Sequence, residues 1–292
     1  MKLLIVDGHA YAYRAFHAIR ELRSPLGQPT NAIYGFIKML AKMRAKLAPT
    51  HVIVVWDGGL SAERTAALPE YKAQRPEMPA DLAAQIDEIV RYLDAANVAS
   101  YCEDGVEADD YIACLTRRGV EADMEVVIAS SDKDFMQLVS PEVGLLNPND
   151  KTEAVWTAEQ VRGKTGVEPA QIVDWLSLVG DSVDNIPGVP GVGTKTAADL
   201  LRQFGSVEDL YHRLNEVKSE RVRAALKDST EAVRRNLKLV RLQDDLPCAV
   251  SMGELAVRPV DAERLGPLLR QWGFRSMLAE LETAQKSQAV LL

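Results

Sequence analysis

Four stretches of the chain set acidic side chains just beyond an apolar run, a spacing that can gather carboxylates for metal chemistry. Lys2–Val6 leads to Asp7, and His51–Trp56 leads to Asp57. Glu125–Ala129 runs into Ser130-Ser-Asp-Lys-Asp134, which supplies Asp132 and Asp134. The fourth group, Glu107, Asp109 and Asp110, stands where a helical pattern begins. Three residues apart on a helix, Glu107 and Asp110 share a face, with Asp109 about 100° away. The helix dipole tolerates acids in a first turn, so alone this group also reads as a plain helix-stabilising start. Carboxylates crowded at one rim repel unless cations neutralise them, and all-oxygen ligation suits two or more Mg²⁺ or Mn²⁺ ions. Such ions activate water and stabilise a leaving oxygen, which is phosphodiester hydrolysis.

Rival chemistries lack their residues. His9, His17, His51 and His212 form no HxH or HExxH pattern, and there is no GxGxxG or P-loop. An aspartyl-phosphate enzyme would want a second Asp two residues after Asp7, where His9 stands.

A second motif runs from Gly180 to Ala197, GDSVDNIPGVPGVGTKTA. Gly191 and Gly193 around Val192 suit a tight hairpin, and Thr194 is expected to cap a helix from Lys195 to Phe204. Backbone N–H groups at a helix start form an anion site, to which Lys195 adds charge. A plain elbow between helices is the bland reading; the two prolines and nearby Asp181 and Asp184 favour binding to a nucleic-acid backbone. Lys72 and Arg75 would share a face if their segment is helical and could hold a phosphate beside the acids, with Arg64 in support. Singly they are ordinary surface cations. Tyr11, Tyr13, Phe16 and Tyr34 interleave with Arg14 near Asp7, where aromatics could stack on an unpaired base. Phe16 and Tyr34 read better as core.

The elements that must position these residues are short β-rich runs separated by helices, which predicts a mostly parallel sheet with its ligands beyond the strands' carboxyl ends. Ile33, Phe36, Ile37, Leu40, Met43 and Leu47 mark one helix face, capped by Thr30 or Asn31 and ended by Pro49. Residues 58–79, with Gly58, Gly59, Pro69, Pro76 and Pro79, read as a functional loop that is poorly ordered without its ligand, and Lys72 as exposed. Helical spacing resumes over Ala80–Ala95. Beyond about residue 155 strand signals nearly vanish, so a lobe boundary is placed near residue 165, with a helical lobe over 166–292. Ala284 to Leu292 reads as a stub or the start of a linker.

With 292 residues and 47% apolar content the chain can bury a real core. No apolar run approaches a membrane span, and KLLIV is too short for a signal peptide. Cys102, Cys114 and Cys248, without a CxxC, suggest a reduced cytoplasmic setting. The net charge of −8 disfavours nucleic acid at first sight. Setting aside Asp7, Asp57, Glu107, Asp109, Asp110, Asp132, Asp134 and Asp184 leaves the remainder balanced. Residues 8–56 carry seven bases against one acid, Glu21.

Taken together, Leu4-Ile-Val-Asp-Gly-His9, Tyr13-Arg14, Ala32-Ile-Tyr-Gly-Phe36, Tyr71-Lys-Ala-Gln-Arg75, Glu107-Ala-Asp-Asp110, Ser131-Asp-Lys-Asp134 and Gly180-Asp-Ser-Val-Asp-Asn-Ile-Pro-Gly188 resemble the 5′ nuclease domain of bacterial DNA polymerase I, in the flap endonuclease and 5′–3′ exonuclease superfamily. The resemblance implies an α/β fold of the PIN type and a helical lobe with a helix–three-turn–helix element over about 171–204. It implies that the eight acids bind metal, with Asp181 an outer member, and that Lys72 and Arg75 sit at the base of a helical arch over residues 58–80. Gly188, Gly191, Val192, Gly193, Thr194 and Lys195 would grip duplex, with K⁺ bound there, while Arg14 and Arg64 join Lys72 and Arg75 on DNA. Asp7, Asp110, Lys72 and Arg75 carry the catalytic expectation. The implied substrates are DNA 5′ flaps, nicks, single-strand/duplex junctions and RNA–DNA primers, cut by a monomeric enzyme of the bacterial cytoplasm and nucleoid during primer removal, nick translation and repair. The chain stops near where such a domain would end, which leaves an excised domain or a free-standing nuclease. A non-catalytic DNA-structure-binding module is the alternative; it would have signalled itself by missing acids, and none of the eight is missing.

Overall fold

A computed structural model describes residues 1–289; residues 290–292 of the expected tail lie outside the described residues, and residues 284–289 continue the last helix. Strands β1 (Lys2–Asp7), β2 (His51–Val55), β3 (Ala99–Tyr101), β4 (Glu125–Ala129), β5 (Val143–Leu146) and β6 (Val155–Trp156) form one sheet in the order β3-β2-β1-β4-β5-β6. All pairings are parallel except the antiparallel edge β5–β6. The strands are apolar at nearly every position because both faces are covered, as expected of a parallel sheet. Leu3, Ile5, Ile53, Val126 and Ile128 face one apolar cluster; Leu4, Val6, Val52, Val54 and Val127 face the other.

The order of the strands decides where a site can form. From β1 the chain moves outward to β2 and β3, then crosses back to place β4 on β1's other side. Between β1 and β4 the connections therefore diverge, opening a crevice at the carboxyl ends. Asp7 ends β1, and Asp132 follows β4 on the opposite lip of that crevice.

Helices α1 (Gly8–Ala18), α2 (Asn31–Leu47) and α4 (Ala80–Ala95) cover one face. The expected α2 is present, but Thr30 caps it without a side-chain bond, and Ala48 ends it in the left-handed region with φ 44°. Helix α3 (Ala62–Ala67) lies within residues 58–79. That segment is a correction to the open loop expected from its prolines: Arg64, Leu68, Tyr71 and Lys72 are 4%, 7%, 3% and 4% exposed. Leu68 and Tyr71 join the apolar cluster, and the two cations meet buried carboxylates, so the chain is held down by both ends of its chemistry.

Helix α5 (Ala108–Glu121) covers the other face, and α6 (Ala158–Thr165), α7 (Ile172–Val179), α8 (Thr194–Phe204), α9 (Val207–His212), α10 (Glu220–Asp228) and α11 (Thr230–Val240) follow. Trp175, Leu176 and Leu178 of α7 share an apolar cluster with Leu115 of α5 and Phe135, so the helical part is fused to the sheet rather than hung from it. The last helices, α12 (Ala262–Trp272) and α13 (Arg275–Ala289), depart from the single lobe expected over 166–292. Leu265, Leu268, Leu269 and Trp272 return to the sheet's first face, and Trp272 donates its indole N–H to Glu88 of α4 at 2.8 Å. No helix among the described residues is long and apolar enough to cross a membrane.

Candidate active site

The carboxylates expected to bind metal fall in two unlike halves, whose charges meet through Asp7, Asp109 and Asp132. Asp7 is the hinge between them. Its carboxylate caps α1 through the Ala10 N–H (3.0 Å) and accepts from Ser130 Oγ (2.7 Å). Burial pushes its pKa up to about 6, against the lowering effect of those two bonds, and Asp132 and Asp57 raise it further. Asp57 is the outlying member. Its N–H donates to His9 Nδ1, and its own carboxylate accepts from the Gly59 N–H.

The first half is neutralised by protein cations. Glu107 is the residue before α5 and accepts from the Ser61 N–H (2.9 Å), Arg64 (3.0 Å), the Tyr71 hydroxyl (3.1 Å) and Lys72 Nζ (2.9 Å). Burial alone would raise its pKa, but Lys72 and Arg64 outweigh that and hold it below the ordinary value. Asp110, one turn on, takes a two-pronged bond from Arg64 at 2.6 and 2.7 Å and another from the Gln243 N–H. Asp109 lies 3.6 Å from Lys72 Nζ. Burial and the nearby Asp132 nonetheless hold its pKa well above the usual range.

Two expectations about the cations are corrected by this geometry. Lys72 is buried rather than exposed, in a turn with φ 54°, not on a helical arch. Such a left-handed lysine persists only where its surroundings fix it. Burial opposes its charge, but Asp109 and Glu107 outweigh burial and keep the ammonium firmly protonated. Arg64 does not support a phosphate as its sequence position suggests. Its guanidinium is instead consumed by Glu107, Asp110 and the carbonyls of Leu239 and Arg241, which leaves no donor for DNA.

The second half is acid-rich. Asp132 and Asp134 follow β4, and Asp181 and Asp184 come from the short ribbon β7 (Gly180–Asp181)–β8 (Ile186–Pro187). Carboxylate oxygens of Asp134, Asp181 and Asp184 lie within 4.8 Å of one another. Lys133 pairs with Asp181 and Arg75 with Asp184, each at 2.6 Å. Asp134 Oδ1 is buried without a hydrogen-bond partner among the described residues. Burial and Asp132, then Asp181 and Asp184, push the Asp134 pKa well above the usual range. A buried carboxylate that carries an unpartnered oxygen and is crowded by two more carboxylates is a site that a divalent cation would stabilise. The donor set fits a hard oxygen-loving ion.

Reading the sequence missed several contributors. Ser130 donates its hydroxyl to Asp7, and Lys133, between Asp132 and Asp134, pairs with Asp181. Tyr71 and Gln243 also serve acids of the first half. Arg14 lies outside the cluster; exposed on α1, it donates to Asn149 Oδ1 at 2.6 Å.

The hairpin after α7 is rigidly built. A Cβ on Gly188 would lie 2.1 Å from the Val179 carbonyl oxygen, so only glycine lets the two strands pass. Asn236 of α11 donates to the carbonyls of Ser177 and Pro187, fastening the hairpin to the helical part. Gly193, not Thr194, precedes α8, and Thr194 is its first residue. Val192 is buried at 4%, and its N–H donates to Val189, so neither its side chain nor its amide faces a ligand. Gly191, Gly193, Thr194 and Lys195 are exposed at the α8 start.

Residues 2–166 match the family model described as 5′-3′ exonuclease, N-terminal resolvase-like domain. Residues 167–263 match the model described as 5′-3′ exonuclease, C-terminal SAM fold. A 5′-3′ exonuclease of Aquifex aeolicus (strain VF5) is 40% identical over 96% of this chain and 95% of its own length. DNA polymerase I of Bacillus caldotenax is 38% identical over 98% of this chain, which spans 33% of that polymerase. The T5 5′-exonuclease structure with bound zinc covers 93% of this chain and 100% of its own, at 26% identity and a TM-score of 0.70. The catalytic core of Rad2 in complex with DNA substrate shares the fold, with a TM-score of 0.66 at 16% identity over 96% of this chain and 90% of its own. Matched along nearly its whole length by relatives well above 30% identity, the chain belongs to the 5′-3′ exonuclease family.

Proposed function

We propose that the chain is a divalent-metal-dependent, structure-specific 5′ nuclease that hydrolyses DNA at 5′ ends and 5′ flaps. One observation carries this reading: Asp134, Asp181 and Asp184 crowd within 4.8 Å, with an orphaned Asp134 oxygen, beside the crevice that also holds Asp7 and Asp132. Asp134, Asp181, Asp184 and Asp132 would hold one ion, and Asp7, Asp109, Glu107 and Asp110 another, with Asp57 outside. Bound Mg²⁺ or Mn²⁺ would supply activation of water and neutralisation of the leaving oxygen.

The chain's own residues set the stage for that chemistry. Ser130 fixes the Asp7 carboxylate, and Arg64 fixes Asp110. Lys72 and Arg75 sit on acids of either half, where their charges would add to those of the bound ions beside a phosphate. The exposed start of α8, with Gly191, Gly193, Thr194 and Lys195, suits the phosphates of duplex DNA, and a K⁺ held there would add positive charge. Nicks, single-strand/duplex junctions and RNA–DNA primers in a bacterial cytoplasm extend the same proposal, with the chain acting as a monomer.

The test is a labelled 5′-flap duplex incubated with the protein and Mg²⁺, then with EDTA. Cutting near the junction that EDTA abolishes is expected. Binding without cutting in Mg²⁺ or Mn²⁺ would overturn the nuclease reading in favour of a non-catalytic DNA-structure-binding module.

A further inference from the structure

Helix α11 has two unlike sides. Val233, Asn236, Leu239 and Val240 are buried. Arg234, Arg235, Lys238 and Arg241, at i, i+1, i+4 and i+7, make a basic stripe along another face. That stripe lines a cleft of about 1000 Å³ that also touches Ala67 of α3 and Gln243. A solvated helix face is the ordinary fate of such a stripe, and three observations argue against it for α11.

Arg234 pairs with Glu231, but Arg235 has no ion-pair partner among the described residues. Its Nε is buried with no hydrogen-bond partner there, so a donor has been taken from water and given nothing in return. The cleft is also not purely polar: partly buried Leu237 and Leu242 line it beside the bases. It adjoins the acidic centre through Arg64, which grips Asp110 while donating to the carbonyls of Leu239 and Arg241. Gln243 lines the cleft and also donates its N–H to Asp110. Asp244 and Asp245 line it as well, so the positive charge is confined to the α11 side.

We propose that this cleft binds the single-stranded 5′ arm of the substrate, with Arg235 and Lys238 on its phosphates; the proposal rests on the 5′ nuclease reading above. An unpaired strand offers phosphates to Arg235 and Lys238 and exposed base faces to Leu237 and Leu242, whereas a duplex keeps its base faces stacked inside. Helix α3 belongs to the segment packed over the acids, so a strand leaving the reacting phosphodiester meets the cleft beside it.

The test compares a nicked duplex with the same duplex carrying a flap of about 20 nucleotides, using wild type, Arg235→Ala/Lys238→Ala and the single Lys238→Glu. Each phosphate contact on a single strand contributes about 0.7 to the slope of log affinity against log salt. The double variant should therefore lose about 1.4 from the slope on the flapped substrate and bind it roughly tenfold more weakly. Its slope and turnover on the nicked duplex should match wild type. Lys238 is exposed, so Lys238→Glu leaves the fold intact and should lose at least about 0.7 on the flapped substrate alone. Equal losses on both substrates, or none on the flapped one, would overturn the proposal. Wild-type cleavage of the nicked duplex reports separately on the nuclease reading, and the slopes remain measurable if that reading fails.

Discussion

Replacing Lys72 by Met keeps the side chain's bulk and removes its charge, which isolates what the ammonium does. In the folded chain it serves Glu107 at 2.9 Å and Asp109 at 3.6 Å with its side chain 1% exposed. Removing one partner of a buried ion pair costs about 3–5 kcal/mol, because the other charge stays buried. Glu107 keeps Arg64, Tyr71 and the Ser61 N–H, so the low end applies, about 3 kcal/mol. Unfolding entropy of about 2.1 cal/mol/K per residue over 292 residues converts this to a Tm fall of about 5 °C. Calorimetry in EDTA should show that fall. An ion present at a hundred times its Kd contributes about 2.7 kcal/mol, so Mg²⁺ should bring Lys72→Met most of the way back to the Tm of wild type in EDTA. A fall below about 1 °C would refute the buried-pair argument. A full fall that Mg²⁺ leaves untouched would show that Lys72 packs rather than neutralises. The result also separates this structure from the exposed lysine expected of the sequence, which would cost turnover and almost no stability.

Other perturbations test the remaining parts. Asp134→Asn should raise Tm in EDTA, since it removes one of three crowded carboxylates, yet abolish the rise that Mg²⁺ gives wild type; a lower Tm in EDTA would contradict the crowding. The raised pKa of Asp7, about 6, means that the folded state binds more protons than the unfolded chain between its ordinary value and that point, so stability falls as pH rises through this window. Tm in EDTA should therefore decline as pH rises from about 5 to about 6, and Mg²⁺ should flatten the decline. A Tm that climbs over the same range in EDTA would count against it. Gly188→Ala should lower Tm by several degrees and weaken duplex binding with the acidic centre intact, because its Cβ would strike the Val179 carbonyl; unchanged melting would show that the hairpin can open.

Much of the site could be read from the sequence because the carboxyl end of a parallel strand is a fixed address. Once Lys2–Val6, His51–Val55 and Glu125–Ala129 are strands of one sheet, Asp7, Asp57 and Asp132 must stand at one edge, and the Glu107 helix must start nearby. Local periodicity therefore made the helices at 31–47 and 80–95, the parallel sheet and the acidic rim legible. The fate of residues 58–79 was not, because prolines and glycines report only backbone freedom. Whether Arg64 and Lys72 stay in water or enter the core depends on carboxylates some 35 to 46 residues away in sequence. For the same reason the sequence could not show that α12 and α13 close back on the sheet, or that Arg235 lies beside α3. Alternation and capping are decided by neighbours in the chain. The balance between desolvating a charge and pairing it is decided only by the neighbours that folding brings.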